Sequence, residues 1–493
     1  MDDRRRLDGD PAQHDRAVGL RPSFRPACRS CGQVSDVQMN LTAQLADWAA
    51  AQADRPLDAA ARHHVRRLWV DYLAAVIPGS SAPTSRQVAA HAAIQYPGDQ
   101  AEAVGTGRLS ALGAALVNGT SAHCLEVDDG YTPGSVHPST VIFPAVLAAA
   151  QAAGSDDEIT ERALAVGLEV VCRLAAAGHP ATWRNHFHNT PVTGVLGSAV
   201  AVAVLHRLDA EQIEHALGIA ASHAGGLFAF LGQAAEVKRL HPGKAARDGI
   251  ASAELAAAGV TGPRGVLEAP HGYIDAFARG DFDNETLVGD LGEKWAFLDT
   301  YVKPYPCCRH LHGPIDAVRA LKAEHQVKAG DVESVTVRTY TVASHHAART
   351  VDEFLDAQMS IPFAVTVALA FDEVGLTEFG DDVRHDATIR ALVDRVSVVA
   401  DADIDAVYPR LRPAIVEITL RDGSVLTHRV DTPYGEPSNP VSDEDMTGKL
   451  VRLAGPIIGS DRAAALAEQT WTAPTHRTTL DVALSTSETP GSE

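Results

Sequence analysis

The hydrophobic period of this chain changes near residue 299, and that change divides what it can fold into. From residue 40 to 298 apolar residues recur at three- and four-residue spacing, most clearly over 41–53, 58–76 and 111–125, which predicts amphipathic helices. Alanine dominates these stretches and aromatic residues make up only 5% of the chain, so closely packed helices fit better than an aromatic-rich sheet. The runs 192–205, 213–225 and 244–259 offer few polar faces and are expected to be buried helices. Two helix starts are signposted: Ser155 with Glu158 reads as a capping box, and Asp209 with Gln212 gives a similar signal.

Beyond 299 strands appear. Residues 332–342 alternate, with Val335 and Val337 on one side and Thr336 and Arg338 on the other. Residues 415–420 and 425–430 flank Asp422-Gly423 as the arms of a hairpin. Helical stretches near 358–371 and 386–396 lie between these strands, and 433–440 is rich in Pro, Gly and Ser before a last helical pattern over 443–453. The expected fold class is mainly α, with a large all-helical domain over 39–298, a smaller α+β domain over 299–439 and a helical segment over 440–475. Residues 1–38 and 476–493 read as a disordered extension and tail, and Met39 is a candidate start.

A formal net charge of -21 disfavours nucleic acid or an anionic membrane as a partner, since both need a positive surface. No stretch approaches the roughly 20 apolar residues that span a bilayer, and no apolar run of signal-peptide length opens the chain. Cysteine is too sparse for a disulfide framework. Cys28 and Cys31 have CxxC spacing without a second pair, and Cys307 and Cys308 read as packing thiols, reduced in a cytoplasmic protein. His-Glu-x-x-His spacing is absent, so no metal site is expected.

Cationic or titratable residues repeatedly stand just before an apolar, helix-forming run with an early proline. His137-Pro138 precedes 139–150, His186-Phe187-His188 precedes Pro191 and 192–205, and Lys238 with His241-Pro242 precedes 244–259. Proline is tolerated at the first helical position, and the backbone N–H groups there point outward and favour anions. Several such ends, each flanked by His or Lys, would make a carboxylate-binding pocket inside an acidic protein. Each end contributes only about 0.3–1 kcal/mol toward a nearby anion, so the charged side chains must do more.

Upstream of His137, Glu126, Asp128 and Asp129 stand almost together. Buried carboxylates so close cannot all ionise freely, and one held protonated or paired with a histidine would make an acid–base pair. A solvated turn is the alternative for any one of these acids, and a capping histidine for His137. Lys303, Arg309, His310 and His312 share one short, proline-stiffened loop suited to carboxylate recognition, especially through bidentate pairing by Arg309.

In order and spacing these motifs resemble the MmgE/PrpD family. The resemblance runs from about residue 41 to 453 and is carried by 123–139, Phe187-His188 followed by 194–199, Ser222-His223-Ala224-Gly225, 238–246 and 303–312. It implies a large helical domain with an α+β lid, C-terminal helices returning to the helical domain, a homodimer, and a site in the cleft between domains that needs no cofactor. It further implies that His188, Lys238 and His137 line the site, and that Glu126 stands where the decarboxylase of the family has an aspartate, one residue further from His137. Cys308 stands at a histidine position of that decarboxylase, and the segment near Ser344 lacks its tyrosine. Those departures point toward the dehydratases and the epimerase of the family.

The chemistry so implied is loss of water from a small hydroxylated polycarboxylate, of the 2-methylcitrate dehydratase type. His188 and His137, tuned by Glu126 and Asp129, would move the proton, while Lys238 supplies positive charge and Lys303, Arg309 and His310 hold substrate carboxylates. Epimerisation or decarboxylation at a carbon next to a carboxylate is the alternative.

Overall fold

Small residues let the helices of the first half approach closely. The computed structural model describes residues 40–232, 235–408 and 410–474; the expectations for 1–38, with Cys28 and Cys31, and for 476–493 lie outside them. The chain opens with α1 (Leu41–Gln52), α2 (Ala59–Gly79) and α3 (Pro83–Gln95), then a two-stranded antiparallel ribbon, β1 (Ala101–Ala103) and β2 (Gly107–Leu109). It continues through α4 (Ala111–Ala122), α5 (Ser139–Ala153), α6 (Asp157–Gly178), α7 (Ala181–Arg184), α8 (Asn189–Leu205), α9 (Ala210–His223) and α10 (Val237–Ala257). Helix α8 is buried along its whole length among α5, α6, α9 and α10. Helix α9 departs from the expectation of full burial: only the face with Ile213, Ala216, Leu217 and Ala220 is covered, and polar residues take the other.

One close contact positions the later chemistry. A Cβ on Gly119 of α4 would lie 2.7 Å from the Cα of Gly243 in α10, and one on Gly243 would lie 2.2 Å from the carbonyl oxygen of Leu116. Only glycine fits at either position. The contact draws the end of α4, where His123 stands, toward the first turns of α10.

Two helix starts differ from the sequence reading. Helix α10 begins at Val237, so Lys238 and His241 project from its first turns, and Pro242 lies inside the helix. The N–H that Pro242 lacks is the one a regular helix would offer to the carbonyl of Lys238. Helix α6 is capped by Asp156, whose side chain accepts from the N–H of Ile159 at 2.8 Å, and not by Ser155. Ser and Asp cap about equally well, so packing of the helix decides between neighbours. The Asp209–Gln212 box has both of its bonds in place.

After α11 (Asn284–Val288) a second apolar core forms, in which Leu321, Val337, Phe363 and Val416 are buried together. Its elements are α12 (His312–His325), β3 (Val332–Thr339), α13 (Thr341–Ser344), α14 (Phe354–Gln358), α15 (Ile361–Ala370), α16 (Asp381–His385), α17 (Ala387–Val393), β4 (Val396–Ala400), α18 (Ala402–Asp405), β5 (Ala414–Leu420) and β6 (Val425–Val430). The sheet order is β4-β3-β5-β6. The expected hairpin is present, with Ala414 opposite Val430 and Thr419 opposite Val425. The helix expected over 386–396 is present as α17 and ends at Val393; strand β4, which no expectation covers, follows and pairs parallel with β3, Val335 opposite Val396, a long-range partnership that local periodicity does not reveal.

Helices α19 (Asp443–Ile458) and α20 (Ser460–Thr472) carry the chain back, and Met446, Leu450 and Leu466 join the first core. Lys449 of α19 donates to Asp71 of α2 and to the carbonyl of Val127, both at 2.6 Å. The fold is mainly α with a small α+β part. No helix among the described residues is long and apolar enough to cross a membrane.

Candidate active site

The turn between α4 and α5 gathers the acids. Glu126 holds a left-handed backbone at φ 56, a conformation that costs a residue with a Cβ on the order of 1–2 kcal/mol. A glutamine of the α+β half fixes the chain beside it. Gln358 Nε2 donates to the carbonyls of Leu125 at 2.7 Å and Pro306 at 2.9 Å, and the backbone carbonyl of Gln358 accepts from the N–H of Cys308 at 2.9 Å. The acidic turn and the 303–312 loop are thereby tied together.

Charges of alternating sign run through this seam. Lys238 Nζ contacts Glu126 Oε1; Lys303 Nζ donates to Glu126 Oε2 at 3.0 Å and lies 3.6 Å from Asp128 Oδ1. Lys303 is 1% exposed and Lys238 8%. Ammonium groups this deeply buried persist only when paired. The centre is therefore not the strongly positive pocket that the clustered cations implied, because Glu126 and Asp128 balance the two lysines.

Imidazoles form the opposite side. His123 ends α4, His137 precedes α5, His188 is the N-cap of α8 and His241 lies in α10. The His123 ring lies 4.9 Å from that of His137 and 6.2 Å from that of His188, centre to centre, and the Nδ1 atoms of His188 and His241 are 2.9 Å apart, one donating to the other. His123 Nδ1 lies 2.7 Å from Asp128 Oδ2, and His137 Nδ1 donates to the carbonyl of Asp129 at 2.7 Å with Asp128 Oδ2 at 3.2 Å. A neutral ring that donates through Nδ1 presents its lone pair on Nε2. His123 Nε2 is buried and has no hydrogen-bond partner among the described residues. A buried polar atom in that state marks a place where a ligand group belongs.

Burial lowers the His123 pKa to about 3 against the pull of Asp128, and takes His241 to about 4. Burial and the rings of His123, His241 and His137 hold His188 well below its usual 6.5. These three rings are uncharged at neutral pH. Burial also opposes the charge of Asp128, but Lys303, His123 and His137 outweigh it and keep the carboxylate ionised. Lys238 is drawn down to about 7 by burial and then by Lys303, while Cys308 works in the other sense. For Lys303, burial is outweighed by Asp128 and by nearby tyrosine and cysteine groups, and its pKa is raised.

Asp129 has a separate task. Its carboxylate accepts from the N–H of Ser139 at 3.3 Å and from Ser139 Oγ at 2.9 Å, at the start of α5. Burial, then Asp71 and Asp128, raise its pKa to about 7. The folded value lies above the unfolded one, so the stability Asp129 contributes is complete below about pH 4 and is lost as pH rises through about 7. Asp129→Asn should remove this slope, gaining on the wild type by on the order of 4 kcal/mol between about pH 4 and about pH 8. Urea unfolding of both proteins across that range measures it, and a pH-independent difference would refute the raised value.

Of the residues expected in the site, Glu126, His137, His188, Lys238 and Lys303 come together. Asp129 meets His137 through its backbone carbonyl, and Asp128 supplies the carboxylate instead. Arg309 was expected to grip substrate carboxylates, but its guanidinium is committed to Glu436 at 2.9 Å and to the carbonyls of Tyr434 at 2.9 Å and Pro433 at 3.2 Å. His310 bonds to the hydroxyl of Tyr340 at 2.5 Å within the α+β half. The sequence reading gave His123 and Gln358 no role, Asp128 only a share in a three-acid cluster able to pair with a histidine, and His241 only a place before a helical run. His123 and Asp128 were visible as a His–acid pair within one motif; Gln358 had no local signal. His123, Asp128 and His137 bring three donor atoms within 4.8 Å of one another, yet Lys303 already supplies positive charge at Asp128, which disfavours a second cation there.

Comparison with known proteins follows the same two halves. The MmgE/PrpD N-terminal domain matches residues 43–285, which include Glu126, Asp128, Lys238 and the four histidines, and the MmgE/PrpD C-terminal domain matches 305–473. The chain is 26% identical over 453 residues to the cis-aconitate decarboxylase of Aspergillus terreus, covering 87% of this chain and 92% of that one. It is 29% identical over 371 residues to the cis-aconitate decarboxylase of Homo sapiens, covering 73% and 76% of the two chains. A cis-aconitate decarboxylase-like protein of Aspergillus oryzae is 27% identical over 448 residues, 86% of this chain and 92% of its own. With both domain models matched in order across nearly all of its described length, the chain belongs to the MmgE/PrpD family.

Proposed function

We infer that this chain is a lyase that removes water from a small hydroxylated polycarboxylate, in the manner of 2-methylcitrate dehydratase, through negative charge on a carbon next to a carboxylate. The observation that carries this reading is a group of neutral imidazoles beside two buried lysines that share Glu126, Lys303 charged and Lys238 poised near neutrality. Loss of water needs a base for the carbon proton, positive charge to hold the carbanion, and a proton for the departing hydroxide. His188 or His137 takes the carbon proton. Lys238 and Lys303 exchange Glu126 for a substrate carboxylate and stabilise the charge that develops. Because both lysines are buried, substrate enters when the α+β half parts from the helical half.

Decarboxylation makes its carbanion by losing carbon dioxide and needs a proton donor but no base, so neutral acceptors speak for proton abstraction. It stays as the second reading because two of the relatives named above are cis-aconitate decarboxylases. Epimerisation would use two bases on opposite faces of one carbon.

Proton NMR in heavy water, on a panel of citrate-like and aspartate-like acids, separates the three. An alkene appearing as the hydroxyl is lost is the expected result. Deuterium entering a stereocentre without an alkene would replace dehydration by epimerisation, and release of carbon dioxide would replace it by decarboxylation. Binding of one of these acids without any product formed would replace the enzyme reading by a binding protein.

A further inference from the structure

One cluster lies outside the acid–imidazole centre. Cys308, His310 and His346 bring their donor atoms within 4.8 Å of one another in the α+β half. His346 Nδ1 donates to the carbonyl of Met359 at 3.1 Å, which leaves Nε2 as the nitrogen for other partners. The rings of His310 and His346 stack 5.4 Å apart, and His310 is held by Tyr340. The cluster is close to the centre through the backbone: the N–H of Cys308 is bonded to Gln358, the residue that clamps Leu125 beside Glu126. Lys303, five residues before Cys308, reaches Glu126 itself.

We propose that Cys308 and His346 form a second proton-transfer pair of this site, contributed by the α+β half and facing the histidines of the helical half. The proposal rests on the dehydration reading and supplies what that reading lacks, a dedicated acid. The groups around the sulfur are His346, His310, Lys303, Lys238, Cys307 and Tyr340. The charge on Lys303 favours a thiolate at Cys308, although the donor set would also suit a divalent cation. Burial pushes the Cys308 thiol up, but hydrogen bonding and charge from His346 outweigh it and bring it to about 6, while His346 is raised in turn. Cys124, at about 11, and Cys172 and Cys307, both well above the ordinary thiol value, have no such partner.

In the forward direction His188 takes the carbon proton, the C–O bond breaks with its electron pair on oxygen, and the proton shared by Cys308 and His346 completes the water. The pair regains that proton from solvent while His188 releases its own.

The test uses the full chain. Iodoacetamide alkylation of Cys308, followed by peptide mass spectrometry as pH is varied, should show a midpoint of about 6. In His346→Gln it should move toward the ordinary thiol value of about 8.5, with alkylation near pH 6.5 slowed at least ~10-fold. Cys308→Ser should lower kcat by at least ~100-fold with KM little changed. A wild-type midpoint near the ordinary value, or one unmoved in His346→Gln, overturns the pair. Full turnover in Cys308→Ser alongside collapse in His188→Gln overturns its catalytic role and leaves the dehydration site standing. Alkylation needs no turnover, so the pair is judged even if the acid panel finds a different reaction.

Discussion

Turnover by the His188→Gln variant is expected to fall by about 10²–10⁴-fold, the range for losing a positioned acid or base. His188 is buried at the start of α8 between His123, His241 and the rings of Phe228 and Phe230. Glutamine keeps a polar group for His241 and a similar volume, so urea unfolding should show a nearly unchanged midpoint. KM should move far less than kcat, because the lysines read the carboxylates. Lys238→Met should raise KM and lower kcat together, since its ammonium meets both the bound acid and the charge that develops on it. Near-normal kcat in His188→Gln, measured on whichever acid the NMR panel identifies, would remove His188 from the chemistry.

Lys303→Met should be the most destabilising single change in the site, by about 3–5 kcal/mol, because it takes the only ammonium among the described residues within reach of buried Asp128 and leaves Glu126 to Lys238 alone. Lys303 bonds Glu126 at 3.0 Å and lies 3.6 Å from Asp128, and it is the largest influence keeping Asp128 ionised against burial. The loss should depend on pH in a defined direction. Asp128 has a depressed pKa in the folded wild type, so the stability it contributes is present at neutral pH and is lost as pH falls below its unfolded value of 3.8. The variant lacks the partner that depresses it. The gap between the two proteins should therefore be widest at neutral pH and narrow as the acids protonate. Chemical unfolding at neutral pH and at about pH 3 measures both gaps, and equal gaps would contradict this role for Lys303.

Lys303→Met also separates position from identity. Its neighbours in the chain, Arg309 and His310, share the expectation of holding carboxylates, Arg309 most of all, yet one holds the loop around Glu436 and the other bonds to Tyr340. Residue type by itself ranks Arg309 first. Only the direction in which each side chain leaves the loop distinguishes them.

What the amino-acid order determined by itself was whatever depends on near neighbours. The helical periodicity of the first half, the Asp209–Gln212 cap, the hairpin around Gly423, and the placing of Glu126, Asp128, Asp129 and His137 in one turn all follow from spacings of a few residues. Tertiary structure decided what depends on distant ones: the parallel partnership of β4, the return of α19 with Lys449 onto Asp71, the Gln358 clamp, and the choice of Asp128 over Asp129 as the carboxylate facing His137. The physical reason is that backbone preferences act within a turn or two, whereas burial and charge pairing act between surfaces that meet only on folding. A lysine or carboxylate has no fixed charge or partner until that meeting supplies both.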